Sequence, residues 1–381
     1  VTLLQSTTNM GDGNIHNIRH SSCKNSRTLR VIQSMEEEKY MRRCIQLAQN
    51  GLCNTAPNPM VGAVIVCDGK IIGEGYHIRC GEAHAEVNAI RSVKEPSLLK
   101  RSTIYVSLEP CAHYGKTPPC ADLIIEKQIP RIVIGCQDPF AKVAGRGIQK
   151  LKDAGREVIV GVLEEDCKNL IRRFVTFHSL HRPYITLKWA ESADKHIDKC
   201  RKDGKPVILS TPLTSMLVHK RRAEHSAIMV GTHTAELDNP SLTVRNWQGQ
   251  SPVRIVIDRQ QRLLPSLHLF DDSIRTLVFT GQPHAAFPNT EYIVIDFQQN
   301  ILPQIMQHLY AQGLQSLLVE GGSYLLQSFI NAELWDEIFV EESPLKLFSG
   351  VKAPEIGNKI PYVNEQYFGR NFRHYIATRL G

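Results

Sequence analysis

The sequence predicts a soluble α/β protein with two domains. Strand-like segments alternate with helix-like segments along most of the chain, a pattern typical of layered α/β sheets. The length of 381 residues exceeds what one hydrophobic core usually serves. Hydrophobic residues make up 42% and charged residues 22%, which excludes a disordered chain, and no apolar run is long enough to predict a membrane span.

The first half is predicted to begin with a helix and to continue as a sheet. In EEEKYMRRCIQLAQNG, apolar side chains recur at helical spacing and Gly51 ends the helix. Asp68 and Gly69, between two strand-like runs, predict a tight hairpin. The predicted strands are VGAVIVC, KIIGEGYH, STIYVSL, RIVIGC and EVIVGV, and the later helices are HAEVNAIRSV, PCADLIIEKQ and GIQKLKDAG.

A second domain is predicted from residue 181. A charged helical connector around 164–180 leads to HRPYITLKWA, where Pro183 and a new strand mark the change. The predicted domains are therefore 35–180 and 181–381, without an evident repeat between them. In the second half SAIMVGT, RIVIDR, RTLVFTG and YIVIDF predict strands, MLVHKRRAE and NILPQIMQHLYAQG predict helices, and SLLVEGGSYLLQSFI predicts a strand, a glycine turn and a helix.

Residues 1–34 are predicted to be a disordered extension. They are rich in Ser, Thr and Asn and contain one acidic residue, which suits a transit peptide, while Met35 suits a natural start of translation. Ten cysteines without regular spacing favour reduced thiols in a cytoplasmic enzyme, with an organelle as the alternative location. The net charge of +7 suits an anionic metabolite as well as a nucleic acid.

Two short motifs together predict a catalytic zinc site. HAE supplies His84 and Glu86 at the start of a helix, and EPCAHYGKTPPC supplies Cys111 and Cys120. One imidazole and two thiolates leave a fourth zinc position for water, and Glu86 remains free to carry a proton. The alternative is a closed structural zinc site with Cys80 as its fourth ligand.

H-x-E followed by P-C-x-x-C is the signature of zinc-dependent nucleobase deaminases. Here the two cysteines are separated by eight residues, and the run PCAHYGKTPPC closely resembles the bifunctional deaminase-reductases of riboflavin biosynthesis. The resemblance extends from residue 35 to about residue 345. It implies an N-terminal cytidine-deaminase-like three-layer α/β/α domain, a C-terminal dihydrofolate-reductase-like α/β domain, one zinc ion per chain and NADPH.

The resemblance also implies roles for twelve residues, given at the end of this paragraph. For Asn58, which precedes Pro59, the alternative to substrate binding is a simple turn. Phe140 stands where the family usually has Asn. Arg222 could instead lie on a solvated helix face, and Asp238 could belong to a turn. The implied deaminase substrate residues are Asn58, His77, His113 and Lys116; the reductase substrate residues are Arg222, Leu242, Arg245 and Glu320; the cofactor residues are Thr234, Asp238, Gly322 and Ser323.

Departures from the family pattern lie mostly in the second half. SADKHID at 192–198 and GKPVILS at 204–210 replace the usual family runs, which predicts altered cofactor contacts. Arg259 replaces the usual serine, and we hypothesise that it favours the 2'-phosphate of NADPH. Unchanged preference between NADH and NADPH in an Arg259→Ala variant would contradict that hypothesis.

These features predict a two-step enzyme of riboflavin biosynthesis that acts on a phosphorylated pyrimidine. The chain would deaminate 2,5-diamino-6-(5-phosphoribosylamino)pyrimidin-4(3H)-one and then reduce the ribose of the product with NADPH. The alternatives are a deaminase with a decayed reductase half, a nucleic-acid editing deaminase and a zinc-stabilised binding protein. Aromatic residues are 7% without a basic aromatic run, so no nucleic-acid partner is predicted. The lack of a long apolar run predicts no membrane partner, and a homo-oligomer stays open.

Overall fold

Two large β-sheets, one in each half of the chain, organise the protein. The computed structural model describes residues 34–114, 118–139, 144–201, 205–285 and 287–377. The expected extension, 1–34, therefore lies outside the described residues apart from its last position. Among the described residues, no helix combines the length and the apolar character that crossing a bilayer requires.

The first sheet has five strands in the order β2-β1-β3-β4-β5. Strand β1 pairs antiparallel with β2 and β3, whereas β3, β4 and β5 run parallel. The strands are β1 (Gly62–Cys67), β2 (Lys70–Tyr76), β3 (Thr103–Leu108), β4 (Arg131–Cys136) and β5 (Glu157–Val160). The helices are α1 (34–49), α2 (Ala85–Ser92), α3 (Cys120–Glu126), α4 (Arg146–Asp153), α5 (Glu164–Leu170) and α6 (Arg172–Leu180), and a 3-10 helix covers Pro96–Arg101.

Both faces of this sheet are covered, because successive strand residues point to opposite sides. Ile104 and Val106 pack in one core with residues of α2, α3 and α4. Tyr105 packs in a second core with residues of α1 and α5. The predicted three-layer α/β/α arrangement is thus present.

The second sheet has nine strands in the order β11-β10-β9-β8-β12-β6-β13-β16-β15. Pairing is parallel from β11 to β13, and β16 and β15 add an antiparallel hairpin. Its strands are β6 (Tyr184–Glu191), β8 (Ala227–Gly231), β9 (Val253–Ile257), β10 (Thr276–Thr280), β11 (Thr290–Val294), β12 (Ser316–Glu320), β13 (Glu337–Glu342), β15 (Tyr362–Tyr367) and β16 (Arg370–Ile376). A separate small sheet pairs β7 (His196–Asp198) with β14 (Val351–Lys352).

Helices cover both faces of the second sheet as well. One core joins the strands to α9 (Ile301–Ala311) and α10 (Ser323–Asn331), and the other joins them to α8 (Thr232–Asp238). Helix α7 (Pro212–Ala223) completes this half, together with a 3-10 turn at His268–Phe270. Since β8 and β12 are parallel neighbours, their carboxyl ends lie at one sheet edge, where ligands of open α/β sheets usually bind.

The sequence prediction misses several elements of the second half. Strands β13, β15 and β16 are rich in charged and polar residues, and every residue of β15 is at least partly exposed. Without a continuous apolar run, their pairing with each other and with β6 could not be predicted. The predicted connector helix at 164–180 divides at Ile171 into α5 and α6.

Candidate active sites

The predicted zinc ligands come together at the amino-terminal ends of two helices. His84 caps α2, Cys111 lies in the loop after β3, and Cys120 is the first residue of α3. The Cys120 Sγ lies 3.3 Å from the Nδ1 of His84, and the Cys111 Sγ lies 3.6 Å from it. All three ligand atoms lie within 4.8 Å of one another.

The donor set fits a catalytic zinc ion. One imidazole nitrogen and two sulfur atoms at this separation are a usual three-ligand zinc set, which leaves a position for water. A hydrogen bond with Cys120 lowers the pKa of Cys111, which favours the thiolate that a metal requires. Cys80 is exposed and is not part of the cluster, so the geometry does not support a closed site with that residue.

Glu86 lies beside the three ligands without belonging to their cluster. It is in the first turn of α2 and is 3% exposed. Burial raises the pKa of Glu86 to about 7, and the negative charge of Cys111 adds to the rise. A buried carboxyl group with a pKa near neutrality can both take up and release a proton.

A cavity of about 580 Å³ opens onto this cluster. Asn58, His77 and His113 line it, as expected, whereas Lys116 and Phe140 lie outside the described residues. The Nδ1 of His77 is 3.1 Å from the Ala83 carbonyl oxygen, so it donates there and leaves Nε2 as the acceptor of the Asn58 amide at 3.2 Å. Burial lowers the pKa of His77, which favours this neutral tautomer.

Asn58 lies in a turn and also lines the cavity, and its role in substrate binding stays a prediction. Its backbone N–H donates to Thr55 across a turn at 2.8 Å, while its side chain lines the cavity. The turn is therefore what presents the amide to the cavity.

Glu109 was not identified from the sequence, although it lines the same cavity. Its carboxylate accepts hydrogen bonds from the backbone N–H groups of Asp138, Gly145, Gly147 and Ile148, at 2.9 to 3.2 Å. These partners are 29 to 39 residues away along the chain, and the motif gives no signal for them. Arg146, Phe174 and His178 also line the cavity and were likewise missed.

The second candidate site lies at the carboxyl edge of the nine-stranded sheet. Glu320 ends β12 and forms a bidentate pair with Arg222 of α7, with nitrogen–oxygen distances of 2.7 and 3.2 Å. Both side chains are 12% exposed, so the interpretation of Arg222 as part of a solvated helix face is wrong. Burial alone would raise the pKa of Glu320, but the Arg222 guanidinium lowers it overall.

Leu242 and Arg245 follow in the segment that packs beside α7. The Leu242 side chain is buried in the core, so only its main chain can contact a ligand. Its backbone φ is 53°. Arg245 donates to the Thr243 hydroxyl at 2.8 Å, and its backbone N–H donates to His219 at 3.2 Å. Arg222 and Glu320 therefore offer side chains at this edge, and Arg245 is close to them, because Arg222 also donates to the Thr243 carbonyl at 3.2 Å.

The predicted cofactor residues lie around a glycine pair. Gly321 and Gly322 have φ values of 75° and 73°, and a Cβ atom on Gly321 would lie 2.8 Å from the Thr234 side chain. Glycine therefore allows the turn before α10 to approach α8 closely. Ser323 is the first residue of α10, where backbone N–H groups are available to a phosphate.

Asp238 ends α8 and pairs with Arg201 at 2.5 Å. Asn239 caps the helix in the left-handed region, so the turn expected at this position is present as well. The altered run SADKHID forms β7 and its approach. Arg259 is exposed, with its guanidinium 5.5 Å from the Phe297 ring, and its preference for a phosphate stays a prediction.

Lys188 is a further ionisable residue that the sequence did not reveal. It is the strand partner of Glu320 on β6, within the apolar run YITLKWA. Burial lowers the pKa of Lys188, and the charges of Glu320 and Glu341 oppose that effect. The run was identified as a strand, but a single lysine within it gave no sign of the charged neighbours.

Comparisons with known proteins identify both halves. Residues 34–136 match the cytidine and deoxycytidylate deaminase zinc-binding region, and residues 183–348 match the RibD C-terminal domain. Riboflavin biosynthesis protein RibD of Bacillus amyloliquefaciens is 36% identical over 84% of this chain and 87% of that protein. The chain belongs to the RibD family of riboflavin biosynthesis proteins. The RibD protein of Escherichia coli strain K12 is also 36% identical, over 84% of this chain and 90% of its own.

Solved structures of RibD proteins have the same two-part architecture. The deaminase/reductase of Thermotoga maritima is 37% identical, covers 90% of this chain and 99% of its own, and has a TM-score of 0.82. Acinetobacter baumannii RibD is 31% identical, covers 91% and 100%, and has a TM-score of 0.80. The expected fold is confirmed, with a cytidine-deaminase-like domain followed by a dihydrofolate-reductase-like domain.

Proposed function

We propose that this RibD-family chain catalyses two consecutive steps of riboflavin biosynthesis. The first is the hydrolytic deamination of 2,5-diamino-6-(5-phosphoribosylamino)pyrimidin-4(3H)-one. The second is the NADPH-dependent reduction of 5-amino-6-(5-phosphoribosylamino)uracil to its ribitylamino product. The observation that carries this function is the match over nearly the whole chain to a solved protein named for both activities.

The deaminase site is assigned to the N-terminal part, 35–180. His84, Cys111 and Cys120 would hold the zinc ion, which would supply an activated water at neutral pH. Glu86 takes the proton of that water and passes it to the departing amine. Asn58 and His77 hold the edge of the pyrimidine ring, with His113 beside them in the cavity. Lys116, which lies outside the described residues, is the fourth substrate residue of this proposal.

The reductase site is assigned to the C-terminal part, 181–381. NADPH supplies the hydride when bound. Arg222, fixed by Glu320, and Arg245 place positive charge beside the phosphoribosyl group, and the Leu242 main chain borders it.

Cofactor binding is assigned to the carboxyl ends of β8 and β12. Thr234 and Asp238 on α8 would hold the nicotinamide nucleotide, and Gly322 and Ser323 at the start of α10 would receive its phosphates.

The substrate and setting of the enzyme are part of the same proposal. The partner is a phosphorylated pyrimidine, and the chain acts in the cytoplasm. One relative, the maize riboflavin biosynthesis protein, is named chloroplastic and is 35% identical over 83% of this chain. An organelle is the alternative location, and assembly into a homo-oligomer is open to measurement by light scattering.

The test is a paired assay on purified protein. With the diaminopyrimidinone as substrate, we expect ammonia release followed by an equal amount of NADPH oxidation. Ammonia release without NADPH oxidation, even when the deaminated intermediate is added, would indicate a decayed reductase half. Absence of ammonia release from the zinc-loaded protein would overturn the deaminase assignment.

A further inference from the structure

A cleft of about 880 Å³ lies between the two halves of the molecule. Helices α1, α5 and α6 form one side, and α7 forms the other. Its volume is within the range of pockets that hold small metabolites. The charged residues of the lining are Arg42, Arg172, Arg173, Lys220, Asp166 and Glu224.

The four cations of this cleft outnumber its carboxylates, and one of them lacks a carboxylate partner. Arg42 lies 3.8 Å from Asp166, Lys220 lies 3.9 Å from Glu224, and Arg172 pairs with Glu337. Arg173 donates to the backbone oxygen of Glu224, and in the part of the chain that the structure describes it has no carboxylate within 4.0 Å. Burial lowers the pKa of Arg173, and the more distant charges of Glu337 and Glu224 offset this only in part. A bound anion in direct contact with the guanidinium would therefore recover free energy.

The remaining lining is partly apolar, as contact with the ring of a ligand requires. Ile45, Leu52, Met60 and Leu170 contribute apolar side chains beside the cations. A cleft that offers both an apolar wall and excess positive charge matches a ligand with an apolar end and an anionic end.

The cleft is separate from both proposed active sites. It shares no lining residue with the zinc cavity. On α7, Lys220 faces the cleft, whereas Arg222 pairs with Glu320 at the carboxyl edge of the sheet. Residues two apart on a helix point to opposite sides, so the body of α7 separates the cleft from the reductase site.

We propose that this cleft is a binding site for an aromatic phosphomonoester. Arg173 is the principal phosphate contact, Arg42 and Lys220 add charge at the rim, and the apolar wall receives the ring. Because the walls belong to both halves, the ligand fastens them together. The proposal does not depend on the two activities proposed above.

Phenyl phosphate is the probe, measured by isothermal titration calorimetry on the full chain. The background variant Arg222→Gln weakens anion binding at the reductase edge. We expect one equivalent of phenyl phosphate to bind at least about tenfold more tightly than inorganic phosphate, because the ring buries apolar surface. In this background Arg173→Gln should weaken binding about tenfold, the loss typical of one charge-assisted hydrogen bond.

Two further variants keep the test decisive if Arg173→Gln does not fold. The side chains of Arg42 and Lys220 are 58% and 45% exposed, so Arg42→Gln with Lys220→Gln should fold and still weaken phenyl phosphate binding several-fold. Lys152→Gln, an exposed cation on α4, is the matched control and should not change it. Equal affinity in the cleft variants and the control would overturn the location, and equal affinity for the two phosphates would overturn the ligand class.

Discussion

Burial is the main cause of the raised pKa of Glu86. Its carboxyl group is 3% exposed beside His84 and two thiol groups, and burial raises its pKa to about 7. The residues of this site could be identified from the sequence because HAE and the cysteine run are compact motifs. Glu109 and Lys188 could not, since their partners are distant in the chain or hidden in an apolar strand.

Replacing Glu86 with Gln tests its role as the proton carrier. We expect zinc content to be unchanged, because the three ligands remain, and ammonia release to fall at least about 100-fold, the usual contribution of general acid–base catalysis. NADPH oxidation with the deaminated intermediate should stay at the wild-type rate. Persistent ammonia release would remove Glu86 from the mechanism.

At the scale of elements, the loop between β4 and α4 depends on one buried carboxylate. Glu109 accepts four backbone N–H groups from this loop and from the start of α4. Asp138 in the loop and Arg146 at the start of α4 line the zinc cavity. The sequence predicts the strand and the helix on either side, but a loop has no periodicity from which its conformation could be predicted.

A Glu109→Gln variant tests this positioning role. A neutral amide accepts fewer and weaker hydrogen bonds than a carboxylate, so we expect the loop to loosen and the KM for deamination to rise about tenfold. Zinc content and NADPH oxidation should not change. Glu126→Gln, an exposed carboxylate on α3, is the control, and equal KM values in the two variants would contradict the role.

The end of α7 is predicted to make folding sensitive to acid. His225 is 5% exposed between the Arg221 carbonyl and the Thr186 hydroxyl, and burial with the nearby charge of Arg173 lowers its pKa well below 6.5, although Glu337 opposes this. The unfolded chain therefore binds a proton that the folded chain excludes. This contribution to stability is complete above about pH 6.5 and is lost as pH falls below it.

Urea unfolding between pH 8 and pH 5 measures this effect. We expect the free energy of unfolding to fall below about pH 6.5 by up to about 1.4 kcal/mol per pH unit for this group. His225→Gln keeps hydrogen-bonding capacity without titrating, so its decline should be shallower. Identical slopes for variant and wild type would contradict the assignment.

At the scale of the whole molecule, several contacts join the two halves. Arg172 of α6 pairs with Glu337 of β13 at 2.7 Å across 165 residues of sequence, and Gln315 donates to the Pro57 carbonyl at 2.6 Å. The order of strands and helices was sufficient to predict two α/β units. Contacts between the units could not be predicted, because they depend on how two folded surfaces meet.

We expect deamination and NADPH-dependent reduction to be separate activities of one chain, of which deamination alone depends on zinc. Elemental analysis of the purified protein should find one zinc ion per chain. Treatment with a chelator should then abolish ammonia release and leave NADPH oxidation with the deaminated intermediate intact, and added zinc should restore the first activity. Metal-free protein that still releases ammonia at the full rate would contradict the account.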